Sequence, residues 1–197
     1  MKPITETWRR RLIAALLAAV SAPSIAIAST SDIRSFAWRD ATYDFGDGNK
    51  VTFSGGAYTD LTPEGECNVC DYIRAITFGD VDGDGIEEAL LVVSTNLGGS
   101  GTMIYGYVFG LKSGAPVLRA EIEGGDRGEG GIDSMKVKDG VVVVRRFADD
   151  GGGGACCPNR IEIEKWRWTG TTLKREGKPT FVRRAPTPWI VSRRRNR

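Results

Sequence analysis

The sequence predicts an all-β fold, a single antiparallel meander or sandwich of about nine or ten strands. Three observations carry that expectation. Short runs of alternating apolar residues recur from residue 31 onward, parted by turns rich in glycine, of which the chain holds 26. No stretch beyond residue 28 repeats its apolar residues at the 3.6 spacing of an amphipathic helix. Lys138-Asp139-Gly140 separates the alternating stretch 134–137 from the apolar run 141–144, and an Asp-Gly pair suits the tight hairpin turn that needs positive φ.

Taken in order, Phe36 and Trp38 share one face, and Tyr43 and Phe45 repeat that alternation before the turn Gly46-Asp47-Gly48-Asn49. Residues 51–53 read as a return strand ended by Gly55-Gly56, and a polar loop with the first two cysteines follows. Residues 72–78 lead into an acidic loop, and residues 88–94 leave it. The run 89–93 is apolar on both faces, which marks a central strand. Gly98-Gly99-Ser100-Gly101 turns the chain into 103–109, and Lys112-Ser113-Gly114 turns it into 117–122. Residues 124–131 and 149–158 read as loops. Ile161, Ile163, Trp166 and Trp168 supply one or two more strands, and Thr169-Gly170 turns into 172–174. The acidic loop occurs once, so the chain is not a propeller, which repeats its blade motif.

Three segments are expected: 1–28, 29–175 and 176–197. Lys2, Arg9, Arg10 and Arg11 precede an apolar run at 12–20, and Ala26-Ile27-Ala28 provides a small-residue cleavage site, the layout of a secretory signal peptide. The arginines also resemble a twin-arginine signal. The apolar run is too short for a membrane span of about 20 residues. Export to the periplasm or beyond is the expected location. Residues 29–171 hold 14 basic and 23 acidic side chains, whereas residues 172–197 hold 9 basic and 1 acidic. No nucleic-acid partner is expected. The cationic end, with Arg183, Arg184, Arg193, Arg194, Arg195 and Arg197, is expected to be a disordered tail able to meet anionic envelope surface.

Phe78-Gly79-Asp80-Val81-Asp82-Gly83-Asp84-Gly85-Ile86-Glu87-Glu88 is the stretch that carries chemistry. Carboxylates at Asp80, Asp82 and Asp84 alternate with small residues, so three hard oxygen donors can turn inward on a tight loop, as calcium requires. The Ile86 carbonyl and the Glu88 carboxylate would complete ligand positions 1, 3, 5, 7 and 9. An EF-hand needs a bidentate Glu at position 12, where Leu91 stands. The loop resembles instead the D-x-D-x-D-G-x-x-D loop of integrin-type FG-GAP and VCBS repeats, with Glu88 in place of the usual Asp. That resemblance implies a structural calcium ion at the turn of a β-hairpin. A wider stretch, from Ile33 to about Leu173, resembles a group of uncharacterised exported bacterial proteins through Asp32-Ile33-Arg34-Ser35-Phe36, Ala41-Thr42-Tyr43, Gly125-Asp126-Arg127, Cys156-Cys157-Pro158 and Trp166-Arg167-Trp168-Thr169-Gly170. It implies fold and export and carries no activity with it.

Four cysteines form two pairs, Cys67/Cys70 and Cys156/Cys157, and in an oxidising compartment an even count reads as disulfides with three possible connectivities. A bond between adjacent cysteines strains the peptide between them, so cross-links joining the two pairs are the favoured expectation. A redox C-x-x-C is the alternative, and a four-cysteine zinc site suits the adjacent thiolates poorly. The chain has no histidine, which removes Ser-His-Asp and Cys-His nucleophile systems and H-E-x-x-H metal sites. A carboxylate hydrolase using Glu87, or Asp126 with Glu129, remains as a second function class. Gly98-Gly101 and Gly151-Gly154 lack the Lys-Ser/Thr and the helix of a phosphate loop, so both are turns. Trp166 and Trp168 point to one face, as core or as a stacking platform. Together these readings favour an exported, calcium-stabilised, non-catalytic β-domain that binds a protein or envelope component.

Overall fold

A computed structural model describes residues 32–153 and 157–184. The expected signal segment 1–28, Cys156 and the arginines beyond Arg184 lie outside the described residues.

Within them the chain forms eleven strands and no helix: β1 (Thr42–Asp44), β2 (Lys50–Thr52), β3 (Ala57–Leu61), β4 (Cys67–Gly79), β5 (Glu88–Asn96), β6 (Met103–Lys112), β7 (Ala115–Asp126), β8 (Ile132–Lys138), β9 (Val141–Ala148), β10 (Arg160–Trp168) and β11 (Leu173–Arg183). All pairing is antiparallel and neighbouring in sequence, giving sheets ordered β1-β2, β3-β4-β5-β6-β7 and β11-β10-β9-β8. The fold is therefore all-β, a stacked meander with neither a closed barrel nor propeller blades.

The five-stranded sheet lies in the middle. One face packs on the four-stranded sheet through Leu90, Val92, Ile104, Val108 and Ile122 against Met135, Val142, Val144 and Ile161. The other face packs under the small β1-β2 sheet through Leu91, Val93, Tyr107 and Phe109 against Trp38, Tyr43 and Phe53. A strand covered on both sides must be apolar at every position, which is why residues 89–93 are all buried. The β8–β9 turn has positive φ at both Asp139 and Gly140, and the β6–β7 turn at Ser113 and Gly114. Those are the turns their residues suggested.

Four expectations change. Phe36 and Trp38 sit in turns, not in a strand. The Trp38 indole is buried and donates to the Ile33 carbonyl at 2.6 Å, so one side-chain bond stands in for strand pairing. The polar loop after Gly56 is instead β3 and the start of β4, zipped from Ala57↔Tyr72 to Leu61↔Cys67. Gly124 and Gly125 continue β7 opposite Ile104. Lastly, β11 runs past residue 175 to Arg183, with Val182 opposite Ile161 and Arg183 opposite Arg160. Pairing with β10 organises those residues, although their solvent-facing, charged character resembles a tail.

The cysteine expectation changes as well. Cys67 and Cys70 are bonded to each other, with Cα atoms 5.9 Å apart, so no cross-link joins them to the late loop. Both sit on β4 beside the β3 edge, and the bond closes a short local loop. Cys157 is exposed.

Candidate metal centre

The acidic loop is the turn of the β4–β5 hairpin, whose last pair is Gly79↔Glu88. Gly83 and Gly85 take positive φ, which lets the backbone fold over its own aspartates. Asp80 is the organiser. Its Oδ1 accepts from the Gly83 amide at 2.6 Å and its Oδ2 from the Gly85 amide at 3.0 Å. Val81 points into the core, and its amide donates to Glu88 Oε2 at 2.9 Å, tying the two ends of the loop together.

Asp80, Asp82 and Glu88 each present an oxygen within 4.8 Å of the others. Calcium–oxygen distances of about 2.3–2.6 Å put ligands on opposite sides of one ion about 5 Å apart, so this spacing fits a single cation. The donors are hard carboxylates, with lone pairs left after their amide bonds. Backbone carbonyls and water would have to complete six to eight ligands. Asp84, also expected as a ligand, falls outside this trio; it is exposed and caps the Ile86 amide at 2.7 Å. Ile86 turns its side chain to solvent. Of the five expected ligand residues, three carboxylates converge.

One participant was not anticipated. Arg119 of β7 places Nη2 2.5 Å from Asp82 Oδ2 and Nη1 3.5 Å from Glu88 Oε1. Its guanidinium also lies 5.1 Å from the centre of the Trp168 ring. Burial pushes the Glu88 carboxyl up from its ordinary range; the Val81 amide and Arg119 pull it down, and Asp82 and Asp84 push it up again. Among the described residues, Arg119 is the one cation paired with Asp82 and Glu88, so Asp80, Asp82, Asp84 and Glu88 together carry more negative charge than it balances. Arg119, set with Glu121 in the otherwise apolar stretch 117–122, was the available signal.

Other acids resolve differently. Glu87 is held below the usual carboxylate range by Arg34, which donates to it at 2.5 and 2.8 Å. An acid committed in that way is a poor proton donor at neutral pH. Asp126 accepts from the Gly128 amide at 2.8 Å as a turn cap. Trp166 and Trp168 pack against the core between the sheets. Glu164, 3% exposed, accepts from Arg146 and Arg175 at 2.8 Å each and from the Trp166 indole at 2.9 Å. Burial opposes its ionisation, but these donors outweigh burial and hold its carboxyl below the usual range.

No family model, no curated protein and no solved structure matches the chain. The functional reading therefore stands on the geometry.

Proposed function

We propose that the chain is an exported, non-catalytic β-domain whose β4–β5 loop holds a structural calcium ion and which acts by binding a protein or envelope component. The observation that carries the ion is the convergence of the Asp80, Asp82 and Glu88 oxygens at the closed end of one hairpin. A divalent cation there would offset the surplus negative charge that Arg119 balances only in part. The loop's donors face the ion position and each other, which suits support of the hairpin better than turnover of a substrate. The arginines of the C-terminal segment add an electrostatic contact with anionic envelope surface.

The test is a thermal melt in chelator, in calcium and in magnesium. At a calcium concentration 100 times the dissociation constant, mass action contributes about 2.7 kcal/mol, or roughly 5–10 °C in a domain of this size. Magnesium should do little, because it gives up its waters reluctantly. A midpoint unmoved by calcium sinks the reading.

A further inference from the structure

Charge separates by layer. Residues 32–131, which form the strands β1–β7, carry 7 basic and 17 acidic side chains, whereas residues 132–184, which form β8–β11, carry 12 basic and 7 acidic. The four-stranded sheet is therefore a cationic layer stacked on acidic ones.

Strand register says which cations share its outer face. Met135, Val142, Val144 and Leu173 are buried between the sheets, and Trp166 and Trp168 pack against them, so alternation turns the side chains between them outward. One row across the sheet runs Lys136, Val143, Lys165, Glu176, and the next row along the strands holds the pairs Lys138↔Val141 and Arg167↔Lys174. The five cations are exposed, and the two valines among them are half-buried. Neighbours on one strand stand about 7 Å apart, and β8 to β11 spans about 14 Å, so the charges form a flat grid. Two acids share the face: Glu176, held by Arg167 at 2.5 Å, and Asp139 in the β8–β9 turn. Lys136, Lys138, Lys165 and Lys174 make no ion pair among the described residues. Arg167 and Lys174 stand directly opposite each other, where like charges repel. An anionic partner would relieve that repulsion.

We propose that this face docks on an anionic phospholipid bilayer, with the lysines among the headgroup phosphates and the acidic layers turned away from the membrane. Charge and shape both match: a flat grid of cations meets a flat sheet of negative charge. Lysine, a hydrated point charge, suits that diffuse attraction, whereas the arginine fork suits a defined phosphate site. Single-stranded nucleic acid stacks its bases on aromatic rings set among the cations; here valines stand among them, and Trp166 and Trp168 face the core. The bilayer is the envelope component of the proposed binding domain, so the inference rests on that reading but not on calcium.

The test is co-sedimentation of the full-length chain with phosphatidylcholine vesicles, with and without phosphatidylglycerol, in calcium and in chelator. The parent should bind the anionic vesicles in both and be released at high salt. Lys136→Gln, Lys138→Gln, Lys165→Gln and Lys174→Gln together should weaken binding at least tenfold, since each cation at the surface contributes about fivefold. The same loss is expected in a chain that also carries Arg193→Gln, Arg194→Gln, Arg195→Gln and Arg197→Gln, which separates the sheet from the C-terminal arginines. Lys50→Gln, Arg74→Gln, Lys112→Gln and Arg127→Gln remove as much charge from the acidic layers and should weaken binding less than threefold. A melting midpoint of the sheet variant at or above the parent's shows that it folds. Equal binding to neutral vesicles, no loss in the sheet variant, equal loss in both four-residue variants, or binding confined to calcium overturns the proposal. Tighter binding to a DNA duplex than to the anionic vesicles overturns it in favour of nucleic acid. Calcium stabilisation without vesicle binding removes this surface alone, and vesicle binding without calcium stabilisation removes the loop reading alone.

Discussion

Arg119→Met tests how the acidic loop is balanced. Methionine keeps much of the side-chain stem and loses the charge, leaving Asp82 and Glu88 without the one cation paired with them among the described residues. Removing one partner of a fully buried ion pair costs about 3–5 kcal/mol. Here Arg119 is 34% exposed and its contact with Glu88 is long, at 3.5 Å, so solvent screens part of the loss and about 2 kcal/mol is expected. Of this, about 0.5–1 kcal/mol belongs to the contact with Trp168. In chelator the thermal midpoint should therefore fall by roughly 4–8 °C. In saturating calcium the ion supplies the missing charge, so only the Trp168 portion should remain, a drop of about 1–4 °C. Differential scanning calorimetry of parent and variant, each in chelator and in calcium, measures all four corners. If the variant loses the same number of degrees with and without calcium, Arg119 and the ion do not act on the same carboxylates and the account of the loop fails.

Glu164→Ala should cost about 3 kcal/mol by urea unfolding, because Arg146, inserted between the sheets, loses its counter-charge; a loss under about 1 kcal/mol would show that its bonds to the Glu123 and Gly130 carbonyls suffice. The lowered Glu164 carboxyl has a pH signature: its contribution is present above about pH 4.5, the ordinary value, and disappears as pH falls through the folded-state value. An acid titration of stability should be steeper in the parent than in Glu164→Gln, and parallel curves would contradict the cause given. Gly124→Ala should destabilise by about 1–3 kcal/mol or more, since a Cβ would overlap the Ile104 carbonyl oxygen and lie 2.6 Å from its carbon, backbone that cannot swing aside; an unchanged urea midpoint would show that β6 and β7 can separate there.

Features set by near neighbours were legible in the chain. Alternation, glycine punctuation and one Asp-Gly pair marked the all-β class, because side-chain period and turn dihedrals are local properties. The spacing of Asp80, Asp82 and Glu88 around two glycines marked the loop for the same reason. Misread features depended on partners distant in sequence. Residues 176–183 look like a solvated tail until β10 pairs with them, and residues 57–61 look like a loop until β4 does. Asp84 is a local exception: with the same spacing credentials as Asp80, it caps the Ile86 amide two residues on and stands outside the trio. The sequence by itself determined that this is a β-protein with one acidic hairpin turn, four cysteines and no histidine-based chemistry, because composition and short-range geometry suffice for those. Only the tertiary structure decided that Arg119 of β7 reaches the β4–β5 loop and that Asp71 is buried with no ion pair among the described residues, because each is a meeting of strands that no local pattern encodes; it also showed the local Cys67–Cys70 bond, three residues apart on one strand, in place of a link to the late loop.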